Sequence, residues 1–179
     1  LKSSDRDHLE KLRVFLEIEK QISETKTKSR DTWRNQVYIR SANRNFCIKL
    51  KELGIVVNRT VPNIILEKIP QKFMHHFFRG VFDGDGCAQK IPGFTFLSQK
   101  EVLEKLRFEL IKNGKVSEIR QVKQSGNIYR IDYGGLQQAM KIRDYLYEGA
   151  TVFMERKLGI INSWTRQTRT ELKRKYYHK

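Results

Sequence analysis

Pro70-Gln-Lys-Phe-Met-His-His-Phe-Phe-Arg-Gly-Val-Phe-Asp-Gly-Asp-Gly86 is the stretch on which the fold turns. Pro70 suits the first turn of a helix, and Gly84 to Gly86 suit its end. Gly80 and Gly84 lie four apart and so share one face. Each costs about 1 kcal/mol relative to alanine inside a helix, a cost usually offset by close approach of a second helix backbone. Phe77, Phe78, Val81 and Phe82 supply apolar surface on either side of that face. Asp83 and Asp85 fall at the C-terminal end, where the helix dipole is negative and disfavours carboxylates. A hard divalent cation such as Mg²⁺ would relieve that conflict and also engage phosphate oxygens. A polar Asp-Gly-Asp-Gly turn closing a core helix accounts for the same residues. An EF-hand is excluded, because no acidic ligands follow at its later loop positions.

Outward from this helix, the chain repeats itself. Leu9-Glu-Lys-Leu-Arg13 recurs 94 residues later as Leu103-Glu-Lys-Leu-Arg107. Ser4 and Ser98 precede the two copies, each with an acid three positions on (Asp7, Glu101), which reads as a capping box opening a helix. A β-patterned segment follows in each half, Gln36 to Arg40 and Asn127 to Tyr133. Then comes a second helix, about Asn43 to Leu53 ended by Gly54, and about Leu136 to Glu148 ended by Gly149. A basic element closes each half, Asn58-Arg59 in the first and Arg156-Lys157 in the second. The expectation is a duplicated α+β unit: residues 1–62 a truncated first repeat, 63–163 a complete second repeat with its helix at 71–85, and 164–179 a basic tail. The first copy lacks a counterpart of the Asp85 helix, and Leu1 stands where an initiator Met would, so about thirty residues of a parent repeat are expected to be missing at the front.

The chain has 179 residues, 36 Lys and Arg against 20 Asp and Glu, and a formal net charge of +16, which points to a polyanionic partner. No run approaches the roughly 18 apolar residues of a membrane span, and the charged opening is no signal peptide. A membrane-surface role is disfavoured because the basic residues lie on strand-like segments rather than along one amphipathic helix. Cys47 and Cys87 stand alone, with no CxxC, so neither a zinc site nor a disulfide framework is expected and the compartment is intracellular and reducing. His75-His76 is a poor metal pair, since neighbours on a helix point about 100° apart.

Phe78-Arg-Gly-Val-Phe-Asp-Gly-Asp-Gly86 resembles the nine-residue signature of the LAGLIDADG homing endonuclease family. It matches at Gly80, Asp83, Asp85 and Gly86, with Phe78, Val81 and Phe82 at hydrophobic positions and Gly84 at a small one; Arg79 departs from the usual small residue. The resemblance extends to Gln99 and Lys100, to an αββαββα order and to Arg156-Lys157. It implies two signature helices packed through small residues at a pseudo-twofold axis, beneath two antiparallel sheets that form a saddle over duplex DNA. It further implies that Asp85, helped by the Gly86 carbonyl, binds Mg²⁺. Gln99 then orients solvent around the metal, and Lys157 polarises the nucleophile or the transition-state phosphate. Asp5 and Arg59 hold the corresponding positions of the first repeat. One carboxylate per DNA strand is needed, so a parent protein would need the missing helix for its second active site, and in this chain the Gly80/Gly84 face is expected to be exposed or to pair with a second copy.

Strand alternation extends the expected DNA surface. Tyr129, Ile131 and Tyr133 share one face, which leaves Arg130 and Asp132 on the other. The same logic selects Tyr38 and Arg40. Gln121, Lys123, Gln89, Lys26 and Lys28 join them from the hairpins, and the tail adds Arg166, Arg169, Lys173, Arg174, Lys175 and Lys179. The implied function is a Mg²⁺-dependent, site-specific double-strand DNA homing endonuclease from an intron or an intein. The alternative is a nucleic-acid-binding module that does not cleave, such as a maturase acting on intron RNA or a degenerate endonuclease.

Overall fold

The computed structural model describes residues 1–29, 32–55, 63–116 and 120–165. It is a mixed α+β fold with seven α-helices and two antiparallel sheets among those residues. Gly93-Phe-Thr-Phe-Leu-Ser98 forms the central strand β4 (Gly93–Ser98), and its alternation decides the packing. Phe94 and Phe96 point into the core, while Thr95 and Leu97 take the opposite face. β4 pairs with β3 (Cys87–Ala88) on one side and β6 (Ile128–Gly134) on the other, and β5 (Lys123–Ser125) closes the order β3-β4-β6-β5.

Three helices cover the inner face. α4 (Met74–Asp85) brings Phe78 and Phe82, with the Phe82 ring 5.0 Å from Phe94 and 5.4 Å from Phe96. α5 (Lys100–Lys112) brings Leu103, Leu106 and Leu110, and α6 (Leu136–Tyr147) brings Ala139, Ile142 and Leu146. Both sets run at i, i+3, i+7, one buried stripe per helix. Trp164 follows α7 (Glu155–Asn162) and stands edge-on to Phe94 at 5.3 Å, so it belongs to this core rather than to a basic tail. Residues 166–179, with all the basic side chains of that tail, lie outside the described residues.

The first region is thinner. It comprises α1 (Arg6–Phe15), the hairpin β1 (Ser23–Ser29) and β2 (Thr32–Tyr38), and α2 (Arg44–Glu52). Its buried apolar cluster is Leu9, Ile22 and Val37, with Leu12 and Ile39 alongside. Asn43 caps α2 by accepting the Phe46 N–H at 3.0 Å, and Gly54 at φ +88° ends it as expected. At the opening of the chain, Leu1 exchanges two hydrogen bonds with Val37 (2.9 and 3.0 Å), and Lys2 bridges to Gln36. A short helix, α3 (Asn63–Lys68), leads into the 3₁₀ turn Gln71–Phe73 that precedes α4. The 56–62 segment, which includes Arg59 and the expected boundary between repeats, lies outside the described residues.

The helix starts need correction. Neither serine caps: Asp5 and Gln99 occupy the N-cap positions of α1 and α5. Ser98 is still in β4, paired with Tyr129, so the helix begins one residue later than the capping box predicts. Ser4 sits inside the 3₁₀ turn Ser3–Asp5. The order α4-β3-β4-α5-β5-β6-α6 is αββαββα, followed by α7, while the first region reads α1-β1-β2-α2.

Candidate metal and nucleic-acid site

The two acids at the end of α4 part company. Asp83 turns inward and is buried, accepting the Met154 N–H at 3.1 Å and the Tyr147 hydroxyl at 3.3 Å. Burial raises its pKa above the usual carboxylate range. Asp85, two residues on, is exposed. Gly86 follows with the chain already extended, at φ −75° and ψ 173°. A Cβ there would lie 2.5 Å from the Phe82 ring and 2.7 Å from the Phe82 carbonyl oxygen. Glycine at this position therefore reflects a close approach and not an unusual dihedral.

Lys157 reaches this helix end from α7. Its ammonium donates to the carbonyls of Phe82 (2.5 Å), Gly86 (2.6 Å) and Asp83 (2.8 Å), three acceptors for three N–H groups. It is 5% exposed, and burial lowers its pKa. The unfavourable meeting of carboxylates with the negative end of α4, which argued for a metal, is thus met by a buried ammonium that caps the helix. Lys157 is a clasp at the site rather than a side chain facing solvent, and the Gly86 carbonyl already serves it.

Arg79, the residue that departs from the small-residue pattern, is also buried. Its guanidinium donates to the Val152 carbonyl at 3.2 Å and the Leu146 carbonyl at 3.1 Å, and meets His76 Nδ1 at 2.5 Å. It ties α4 to the end of α6. Gly80 and Gly84 remain exposed, with no atom within 4 Å of where a Cβ would stand. They line a 430 Å³ cavity whose other wall is Leu9, Leu12 and Phe15 of α1.

Among the described residues, no group of three or more His, Cys, Asp or Glu is arranged to hold a metal ion. Mg²⁺, however, is commonly held by one or two carboxylates together with water and substrate phosphates, without a protein cage. One exposed carboxylate at a helix end fits that kind of donor set. Gln99, half-buried, is the N-cap of α5; its carbonyl accepts the Leu103 N–H at 3.2 Å.

No protein-family model, curated protein or solved structure matches the chain. What the site can do is therefore set by its own geometry.

The outer face of the four-stranded sheet carries a chain of polar contacts. Arg130 grips Asp132 with two hydrogen bonds of 2.7 and 2.9 Å; Asp132 accepts the Thr95 hydroxyl at 2.6 Å; Thr95 accepts the Gln89 amide at 2.8 Å. Burial opposes ionisation of Asp132, but the bonds from Arg130 and Thr95 outweigh it and hold the carboxyl below its usual range. Lys123 lies directly across from Arg130, and Gln121 precedes β5, exposed. Arg130, Asp132, Gln89 and Lys123 thus gather on one surface. Thr95 was missed by sequence reasoning, although its place between two buried phenylalanines was a legible sign that it faces outward.

The first-region residues do not gather in the same way. Ser23↔Tyr38 and Thr25↔Gln36 put Tyr38 on one face of the hairpin, whereas Lys26↔Asn35 and Lys28↔Trp33 put both lysines on the other, the face that carries Val37. Arg40 lies beyond β2, its guanidinium 4.8 Å over the Tyr38 ring. Asp5, at the N-cap of α1, is buried and receives two hydrogen bonds from Arg156, at 3.0 and 3.3 Å. That contact depresses its pKa and joins the two regions.

Proposed function

We propose that the chain is a DNA endonuclease subunit of the LAGLIDADG type, with the α4–Asp85 end as the hydrolytic site and the outer faces of the two sheets as the DNA surface. The observation that carries the reading is the divergence of Asp83 and Asp85: one acid is committed to the fold, and the other is presented to solvent beside a glycine where a Cβ would press on Phe82. Asp85 would hold a Mg²⁺ ion together with phosphate oxygens and water. Bound there, the ion would supply charge neutralisation at the phosphodiester and a more acidic water. Lys157 fixes the backbone turn beneath Asp85, and its buried charge keeps the helix end tolerant of a carboxylate. Arg130, held by Asp132, presents a fixed guanidinium to phosphates or base edges. The matching order of α1-β1-β2-α2 and α5-β5-β6-α6 supports a duplication. Pairing of two signature helices, which would bring a second carboxylate to the second strand, would use the Gly80/Gly84 face, which touches no side chain but looks across the cavity to Leu9, Leu12 and Phe15 of α1.

One observation favours the non-cleaving alternative. Every N–H of Lys157 is engaged by backbone, which leaves no basic side chain from that position to assist hydrolysis. The two readings separate in one experiment. Duplexes selected for binding from a random library are cloned into a supercoiled plasmid and incubated with Mg²⁺ and either the protein or Asp85→Asn. Cleavage by the first and binding without cleavage by the second is the expected result. Binding with no metal-dependent cleavage by either establishes the alternative.

A further inference from the structure

We infer that the β1–β2 hairpin binds an unpaired nucleic-acid base, with Trp33 as the stacking surface and Lys26 and Lys28 as its phosphate contacts. The chain has two tryptophans, and they are treated oppositely. Trp164 is buried and donates its indole N–H to the Gln89 carbonyl at 2.9 Å, whereas Trp33 is 65% exposed. The strand register places Trp33 opposite Lys28, with Lys26 and Asn35 the next pair on the same face. Among the described residues Glu24 is the acid on that face, and Arg6 pairs with it, so the described charge around the indole is positive.

The size of the apolar surface decides the class of partner. Val37 is buried, so among the described residues of this face the indole stands with Lys26, Lys28 and Asn35 and without a second exposed apolar side chain. That is far below the contiguous patch a protein partner needs, but it matches the face of a single base. An aromatic ring beside cations is the arrangement used for single strands, because every base has a π-face and every linkage a phosphate. In an intact duplex those faces are hidden in the stack and only edges are offered. The partner is therefore a strand with unpaired bases.

The two tryptophans make the test direct. A 15-residue deoxythymidylate single strand, titrated into the full chain, is expected to quench the exposed, red-shifted part of the emission and leave the buried Trp164 component unchanged. Trp33→Phe removes the quench but binds about as well as the parent. Trp33→Leu keeps the apolar bulk without the ring and binds about five- to a hundredfold more weakly. Lys26→Ala with Lys28→Ala weakens binding and flattens its salt dependence. Absence of quenching, equal quenching by a 15-base-pair duplex, or parental affinity in Trp33→Leu overturns the inference. None of these readouts needs DNA cleavage, so they stand apart from the role of Asp85.

Discussion

Around α4 the chain buries Phe78, Phe82, Phe94 and Phe96 completely, and its charged groups there (Arg79, Asp83, Lys157) are each spent on backbone or side-chain partners. Around the β1–β2 hairpin, among the described residues, only Leu9, Ile22 and Val37 form a buried cluster, and Trp33, Val14 and Phe15 stay in solvent. The first region leans on the second through the Asp5–Arg156 and Lys11–Glu155 pairs. The contrast is between a large aromatic core behind Asp85 and Arg130 and a hairpin with a small cluster, tied to the rest by ion pairs.

Several substitutions would break or sharpen that contrast. Phe82→Ala should cost about 3–5 kcal/mol in chemical denaturation, since it empties the centre of the larger core and leaves Phe94 and Phe96 facing a void. Val37→Ala is the counterpart in the smaller cluster. It should speed hydrogen exchange of the hairpin amides while β4 and β6 keep their protection, and equal acceleration of both sheets would mean that the regions melt as one unit. Lys157→Met should cost about 2–4 kcal/mol, because three carbonyls at the end of α4 lose their common donor.

Asp5→Asn should cost about 1–2 kcal/mol at neutral pH, a figure tempered by the half-exposed Arg156. Because the folded-state pKa of Asp5 lies below its unfolded value, the stabilisation is present above the ordinary carboxylate range and disappears as pH falls through the lowered one. Parent and variant should therefore converge in acid denaturation, and a difference that persisted below both values would assign the effect to something other than this ion pair. Lys11→Ala, at an exposed pair, should change stability by less than about 0.5 kcal/mol.

The elements most legible in the sequence were those decided locally. Asn43 and Gly54 bracket α2, Gly149 follows α6, and alternation in Asn127 to Tyr133 placed Arg130 and Asp132 on the outer face. What the sequence hid was decided at a distance. The partner of Lys157 lies some 75 residues away and consists of backbone carbonyls, which leave no trace in side-chain pattern. The faces of Lys26 and Lys28 depend on hairpin register, where a slip of one residue exchanges the two sides. Ser4 and Ser98 look like caps, but strand pairing at Ser98 extends β4 and shifts the helix start.

The clasp by Lys157 also has a consequence for how the protein is made. The residues of α4 leave the ribosome about 75 positions before the side chain that closes its C-terminal carbonyls. At roughly 5–20 residues per second, that end of the helix waits several seconds with its acceptors open to water. Asp85 thus takes its final setting only after α7 has been synthesised, and a nascent fragment ending before α7 would carry the motif without the turn that presents it.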